Sequence, residues 1–218
     1  MKKLFAKSNI SLQAAMMMLI TPLFIALVVA IVFLSSKMKD VYQDSENLFY
    51  ESLYQINSSL INADRDFYQS MLAATEYYDN IKADHVLKDP ALKATIESKV
   101  KDYEDNRQQA IDNVEKAAQI ARNDPDVWTG TRAADGSTFS VLFDEYEAGI
   151  KAWVFREDME GGEWSQFNTD FEAARGYLSD MSDIVEAWAE KEDAAMDAQI
   201  NKTVVTLAII FAIVVVLL

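Results

Sequence analysis

Residues 42–81 read YQDSENLFYESLYQINSSLINADRDFYQSMLAATEYYDNI, and the spacing of apolar side chains in this stretch decides the fold class. Alternating steps of four and three give Tyr42, Glu46, Phe49, Leu53, Ile56, Leu60, Ala63, Phe67, Ser70, Ala74, Tyr77 and Ile81, all apolar except Glu46 and Ser70. An average step of about 3.5 lays one stripe along a helix that packs in coiled-coil fashion. No Gly or Pro interrupts it. A second stripe, Tyr54, Ile61, Arg65, Tyr68 and Leu72, passes along the far side. A helix with apolar residues on two faces needs two partners. The expectation is its own bundle on one side and a second copy of the chain on the other.

Downstream, three more helices are expected. Asp89-Pro90 pairs a capping residue with proline at a first helical position. From there Ile96, Val100, Tyr103, Arg107, Ala110, Val114, Ala117 and Ala121 repeat at the same steps, and Asn123-Asp124-Pro125 ends the helix. Residues 123–136, with Gly130 and Gly136, read as a loop with room for one helical turn after Pro125. A third helix is predicted from near Ser137, with Phe139, Phe143, Tyr146, Ile150 and Trp153 on one face, broken by Gly161-Gly162. The fourth carries Trp164, Phe167, Phe171, Ala174, Leu178, Met181, Val185 and Trp188. No stretch alternates with period two for long enough to suggest a strand. The predicted fold class is all-α, an antiparallel up-down four-helix bundle, with Phe49, Phe67, Phe143, Trp153, Phe171 and Trp188 in its core.

Both ends are apolar. Ser11–Ser36 holds no charged residue, and at about 1.5 Å per residue it exceeds a ~30 Å hydrocarbon layer. A cleaved signal peptide would have a shorter apolar region ending in small residues, so an uncleaved membrane helix is expected. Lys2, Lys3 and Lys7 before it hold the N-terminus in the cytoplasm. Thr203–Leu218 is almost pure Val, Ile, Leu and Ala but spans only about 24 Å. It reads as a second membrane helix cut short, with a cytoplasmic part to follow. The expected order is a cytoplasmic N-terminus (1–10), a membrane helix (11–36), an extracytoplasmic sensor domain (37–202) and the truncated second membrane helix (203–218).

Composition removes several functions. The absence of Cys excludes disulfides, thiol nucleophiles and thiolate metal sites. The single histidine, His85, sits between helical segments beside Asp84; one histidine removes His-based zinc sites, and its reading as a solvated loop residue argues against Ser-His catalysis. The segment 37–202 holds 17 Lys and Arg against all 35 Asp and Glu, so it repels nucleic acid. Glu157, Asp158, Glu160 and Glu163 lack the spacing of a calcium loop and read as a solvated turn. No cofactor, metal or catalytic residue is expected.

A short basic N-terminus, a membrane helix, an acidic four-helix bundle and a second membrane helix resemble the sensory half of a bacterial methyl-accepting chemotaxis protein. Asn62-Ala63-Asp64-Arg65-Asp66-Phe67-Tyr68-Gln69 followed by Leu72-Ala73-Ala74 is similar to the first bundle helix of such receptors. The resemblance covers essentially the whole chain. It implies a homodimer facing itself through helix one and a small ligand (an amino acid, organic acid or amine) bound near that interface. Signal would pass through helix four and the second membrane helix to a methylated cytoplasmic region that engages chemotaxis proteins. Sensor kinases and cyclic-dinucleotide synthases share this architecture and are the alternative, and a ligand-free structural bundle is a third reading.

Arginines on this helix of the family's amino-acid receptors grip ligand carboxylates, which suits a planar two-pronged donor. Arg65 is the only basic residue between Asp40 and Ile81, so it is the first candidate, with Asp64 and Asp66 as competing partners. Tyr68, Gln69 and Asn62 would line the same site. Arg107 occupies a core slot on helix two and, counted from the distal turn, is level with Arg65 and with Asp180. A buried guanidinium must be paired. Asp64 or Asp180 is its expected partner, in a polar layer that either fixes register or forms part of a ligand pocket.

Overall fold

The computed structural model describes residues 11–81 and 90–217. Lys2, Lys3 and Lys7, the turn carrying Asp84, His85 and Asp89, and the side chains of Phe49 and Ile81 lie outside the described residues. Within them the chain is helical, with no strand and one isolated antiparallel bridge, Arg132 to Thr138. The elements are α1 (Leu12–Glu46), a π-helical segment (Asn47–Leu53), α2 (Tyr54–Ile81), α3 (Pro90–Ala121), a π-helical turn (Asp126–Gly130), α4 (Phe139–Ala152) and α5 (Gly161–Leu217). The chain divides into two compact units. One joins the segment ending at Glu46 with the segment starting at Glu192, and the other is Asn47–Lys191.

In the first unit, α1 and the far part of α5 are each long and apolar enough to cross a membrane. Met17, Phe24, Val29, Val32, Ile209 and Ile213 are exposed rather than packed in a core. Pro22 lies inside α1, where its missing N–H leaves the Met18 carbonyl without a helical donor. One residue earlier, the Thr21 hydroxyl donates to the Met17 carbonyl at 2.7 Å, the kind of local satisfaction that makes proline tolerable in lipid.

The second unit holds the core. The α2 stripe is buried at Ile56, Leu60, Ala63, Phe67, Ser70, Ala74 and Tyr77, whereas Tyr42 is exposed and belongs to the other unit. Packing therefore begins one helical segment later than the heptad count predicts, because the π-helical turns at Asn47–Leu53 add residues per turn and shift the stripe. Ile96, Tyr103, Ala110, Val114, Ala117 and Ala121 of α3 are buried, as are Phe167, Phe171, Ala174, Leu178, Met181, Val185 and Trp188 of α5. Small alanines on α3 let α2 and α3 lie close, and the Ser70 hydroxyl donates to the Tyr103 carbonyl between them at 2.7 Å.

The third helix is shorter than its pattern predicts. It ends at Ala152, and Gly161-Gly162 open α5 instead of breaking α4. Two local forces explain this. The Trp153 ring is fully buried and its carbonyl accepts the Tyr103 hydroxyl at 2.8 Å, while that hydroxyl accepts the Phe155 N–H at 3.0 Å. Eight residues on, the Glu163 carboxylate accepts the Glu160 N–H at 3.1 Å, half of a capping box that starts a helix despite two glycines. At the front of α4, Thr138 is the N-cap.

Along the exposed face of α2, Tyr54, Ile61, Tyr68 and Leu72 remain open to solvent. Among the described residues nothing covers that second stripe.

Burial raises the Tyr103 hydroxyl from its ordinary value near 10 to about 12, with Phe155 N–H and Arg107 opposing the shift. A phenol whose folded pKa is raised keeps its proton while the unfolded chain loses one, so the folded state binds more protons and stability falls as pH rises. The expected outcome is a melting temperature that is level between about pH 7 and 9 and declines between pH 10 and 12. Tyr103→Phe should soften that decline while lowering the neutral-pH value.

Candidate functional site

The candidate site is built on the charged centre of α2, where five consecutive side chains point in different directions. Phe67 goes inward and touches Trp153 and Phe171, with ring centroids 4.6 and 4.7 Å away. Asp66, also buried, is held from both sides. Its Oδ1 accepts Arg65 Nε and Nη2 at 2.9 and 2.7 Å, and its Oδ2 accepts Asn113 Nδ2 of α3 at 2.9 Å. A buried carboxylate without such donors would be costly. Arg65 is more than half exposed, and its fork is turned back on its own neighbour.

Asp64 takes the other direction, towards α5. Arg175 Nε donates to Oδ1 at 2.7 Å and Nη2 to Oδ2 at 3.1 Å, a two-pronged pair of the geometry that guanidinium and carboxylate favour. The Arg175 guanidinium carbon lies 5.8 Å from the Tyr68 ring and 5.7 Å from the Phe171 ring. Hydrogen bonding to Asp64, opposed by burial, raises the Arg175 pKa, so it stays charged throughout the accessible pH range. Beside this pair is a groove of about 260 Å³ lined by Leu60, Ile61, Asp64, Arg175, Leu178, Ser179 and Ser182.

Of the residues expected from sequence, Tyr68 and Arg65 flank the motif on the exposed side, Gln69 is exposed and Asn62 half-buried. Arg107 differs from its expectation. Its donors go to the Ile150 carbonyl (Nε 3.0 Å, Nη2 2.6 Å) and the Lys151 carbonyl (3.2 Å) rather than to Asp64 or Asp180. The last carbonyls of α4 have no helical donors, and a cation there also opposes the negative helix end. Arg107 is a C-terminal cap on α4. Asp180 has no ion-pair partner among the described residues; burial, then Asp135 and Asp183, raise its carboxyl. The Tyr146 hydroxyl, deep in the core, has no hydrogen-bond partner among the described residues, and burial raises its pKa strongly.

Arg175 is the residue that the sequence reading passed over. It stands next to the core position Ala174 and four residues after Phe171, which signals a boundary position at the edge of the α2–α5 seam. Among the described residues no three His, Asp or Glu side chains converge to hold a metal ion. Comparison with protein-family models, with curated proteins and with solved structures finds no match.

Arg107→Ala leaves two carbonyls at the end of α4 without donors and should lower stability by about 1–3 kcal/mol. Gln69→Ala, on an exposed side chain, should change it by less than about 0.5 kcal/mol. Thermal unfolding followed by tryptophan fluorescence compares the two, and equal melting temperatures would remove the capping role.

Proposed function

We propose that this chain is the sensory part of a transmembrane receptor of the methyl-accepting chemotaxis type, without catalysis of its own. The observation that carries the reading is α5. One unbroken helix, Gly161–Leu217, bears both the core residues Phe167 to Trp188 and an apolar segment of membrane-crossing composition. A rigid helix is a direct way to move a change in a packed core into a membrane. In this reading α2–α5 form an up-down four-helix bundle outside the cell, α1 and the end of α5 are its membrane helices, and Lys2, Lys3 and Lys7 keep the N-terminus cytoplasmic. A small ligand outside and cytoplasmic chemotaxis proteins inside are its partners.

The exposed stripe on α2 supports the homodimer. Tyr54, Ile61, Tyr68 and Leu72 are all exposed on a single helix face, at steps of seven, seven and four. Two such faces related by a two-fold axis pack as a self-complementary interface. The chain has no cysteine, which makes a direct test clean. Ile61→Cys, the sole thiol in membranes containing the full chain, should form a disulfide-linked dimer on mild oxidation. Glu104→Cys, on the exposed side of α3, should stay monomeric. Monomer for both would count against the dimer, and equal dimer for both would show random collision.

A further inference from the structure

We propose that the groove between α1 and the far part of α5 holds one anionic phospholipid, its phosphate at Lys37 and Lys202 and an acyl chain along the apolar trough beside them. The inference goes beyond the receptor reading and rests only on its membrane part, that these two segments cross the bilayer.

Two hollows of the first unit make the groove. One, of about 420 Å³, mixes Lys37, Tyr42, Ser45 and Thr203 with the apolar Ile200 and Val204. The other, of about 510 Å³, is lined by apolar residues alone, among them Leu27, Ile31, Leu207 and Phe211. Leu34 lines both, so they adjoin at that residue. From Leu27 to Tyr42 α1 rises about 22 Å. One leaflet with its headgroups measures about 20–22 Å, half of a ~40–45 Å bilayer. The groove therefore has the length of a lipid and changes from apolar to polar in the same sense.

The headgroup must supply the selectivity, because an acyl chain gains little by leaving other acyl chains for an apolar trough. At this boundary the charge is positive, although the chain as a whole carries −15. Lys37 is the first charged residue after the apolar stretch of α1, and Lys202 is the last before that of α5. The nearest acids beyond them are Asp40 and Asp197. Lys37 Nζ donates to Asp40 at 3.1 Å, which leaves two of its three hydrogens for a phosphate. Lys202 is exposed and has no ion-pair partner among the described residues. Lysine stems lie along apolar surface with the ammonium held at the polar edge, and the exposed Tyr42 adds a hydroxyl there. A second copy of the chain in the same membrane orientation would bring its own lysines to this level, like charge against like. An anionic headgroup neutralises them instead.

The test is native mass spectrometry of the full chain released from dodecyl maltoside micelles. Palmitoyl-oleoyl phosphatidylglycerol is the anionic probe, and phosphatidylcholine with the same chains is the zwitterionic one. One phosphatidylglycerol should stay bound per chain, about five- to thirty-fold more tightly than phosphatidylcholine, for one or two lysine contacts. Lys37→Gln combined with Lys202→Gln should bring the two lipids to equal affinity. Val204→Trp fills the groove with both lysines intact and should remove both lipids. Val32→Trp, at an exposed position of α1 that lines neither hollow, should bind as the parent does. Far-UV circular dichroism confirms that each variant keeps its helices. No retained lipid, equal affinities in the parent, a preference that survives the double glutamine variant, or binding that survives Val204→Trp would each overturn the site. Alkaline extraction of membranes separates this from the reading beneath it. A chain that stays with the bilayer yet binds no phosphatidylglycerol loses the site alone, whereas a chain released into the soluble fraction loses the membrane helices as well.

Discussion

Trp153 is the knot on which the second unit depends. Its ring is fully buried and stacks on Phe167, with centroids 4.4 Å apart, and it meets Phe67 edge-on at 4.6 Å. Its indole N–H donates to the Phe167 carbonyl at 2.9 Å, and its own carbonyl accepts the Tyr103 hydroxyl at 2.8 Å. One residue therefore joins α2, α3 and α5 at the point where α4 stops. A buried indole N–H or carbonyl left unpaired costs about 1–3 kcal/mol each, so the three neighbours are held in one arrangement. Aromatic contacts add specific edge-on and stacked geometries to the area buried.

That constraint places everything polar around it. With Phe67 fixed in the core, the helix period turns Asp64 to α5 and Asp66 to α3, and it leaves Arg65 and Tyr68 outside. The ends of α4 follow as well. Because the chain leaves the helix to bury Trp153, the carbonyls of Ile150 and Lys151 lose their donors, and Arg107 supplies them. The loop before α4 is tied more lightly. Asp124 Oδ1 accepts the Asp126 N–H at 2.8 Å, and Asp126 pairs with Lys191 at 3.0 Å on the surface, a contact of the kind worth little by itself.

Much of this could be read from apolar spacing, because burial of a helix stripe is what spacing measures. Apart from half-buried Arg107, the four-three positions from Ile56 to Tyr77, Tyr103 to Ala121 and Phe167 to Trp188 are buried. Spacing fails where local geometry intervenes. The π-helical turns at Asn47–Leu53 displaced the first stripe, and the Glu163 cap made Gly161 a helix start. Charge partners were the least legible. Arg107 occupied a core slot, which correctly demanded acceptors, but the pattern cannot distinguish a carboxylate from an orphaned helix carbonyl. Asp64 lies about seventeen residues before the end of α2 and Arg175 about fourteen after the start of α5. Counting levels from the distal turn puts Asp180 of α5 beside Arg107 instead, and Asp180 is more than a turn from Arg175.

The proposed function requires that a change in this core reach the membrane along α5. The most direct measurement joins Leu218 in frame to the linker and methylated hairpin of a chemotaxis receptor. Methylation is then read in cells with and without a compound that raises the melting temperature of the parent chain. The account predicts a ligand-dependent change in methylation that is lost when two glycines are inserted after Lys191. A compound that binds and stabilises the chain yet leaves methylation unchanged would contradict it.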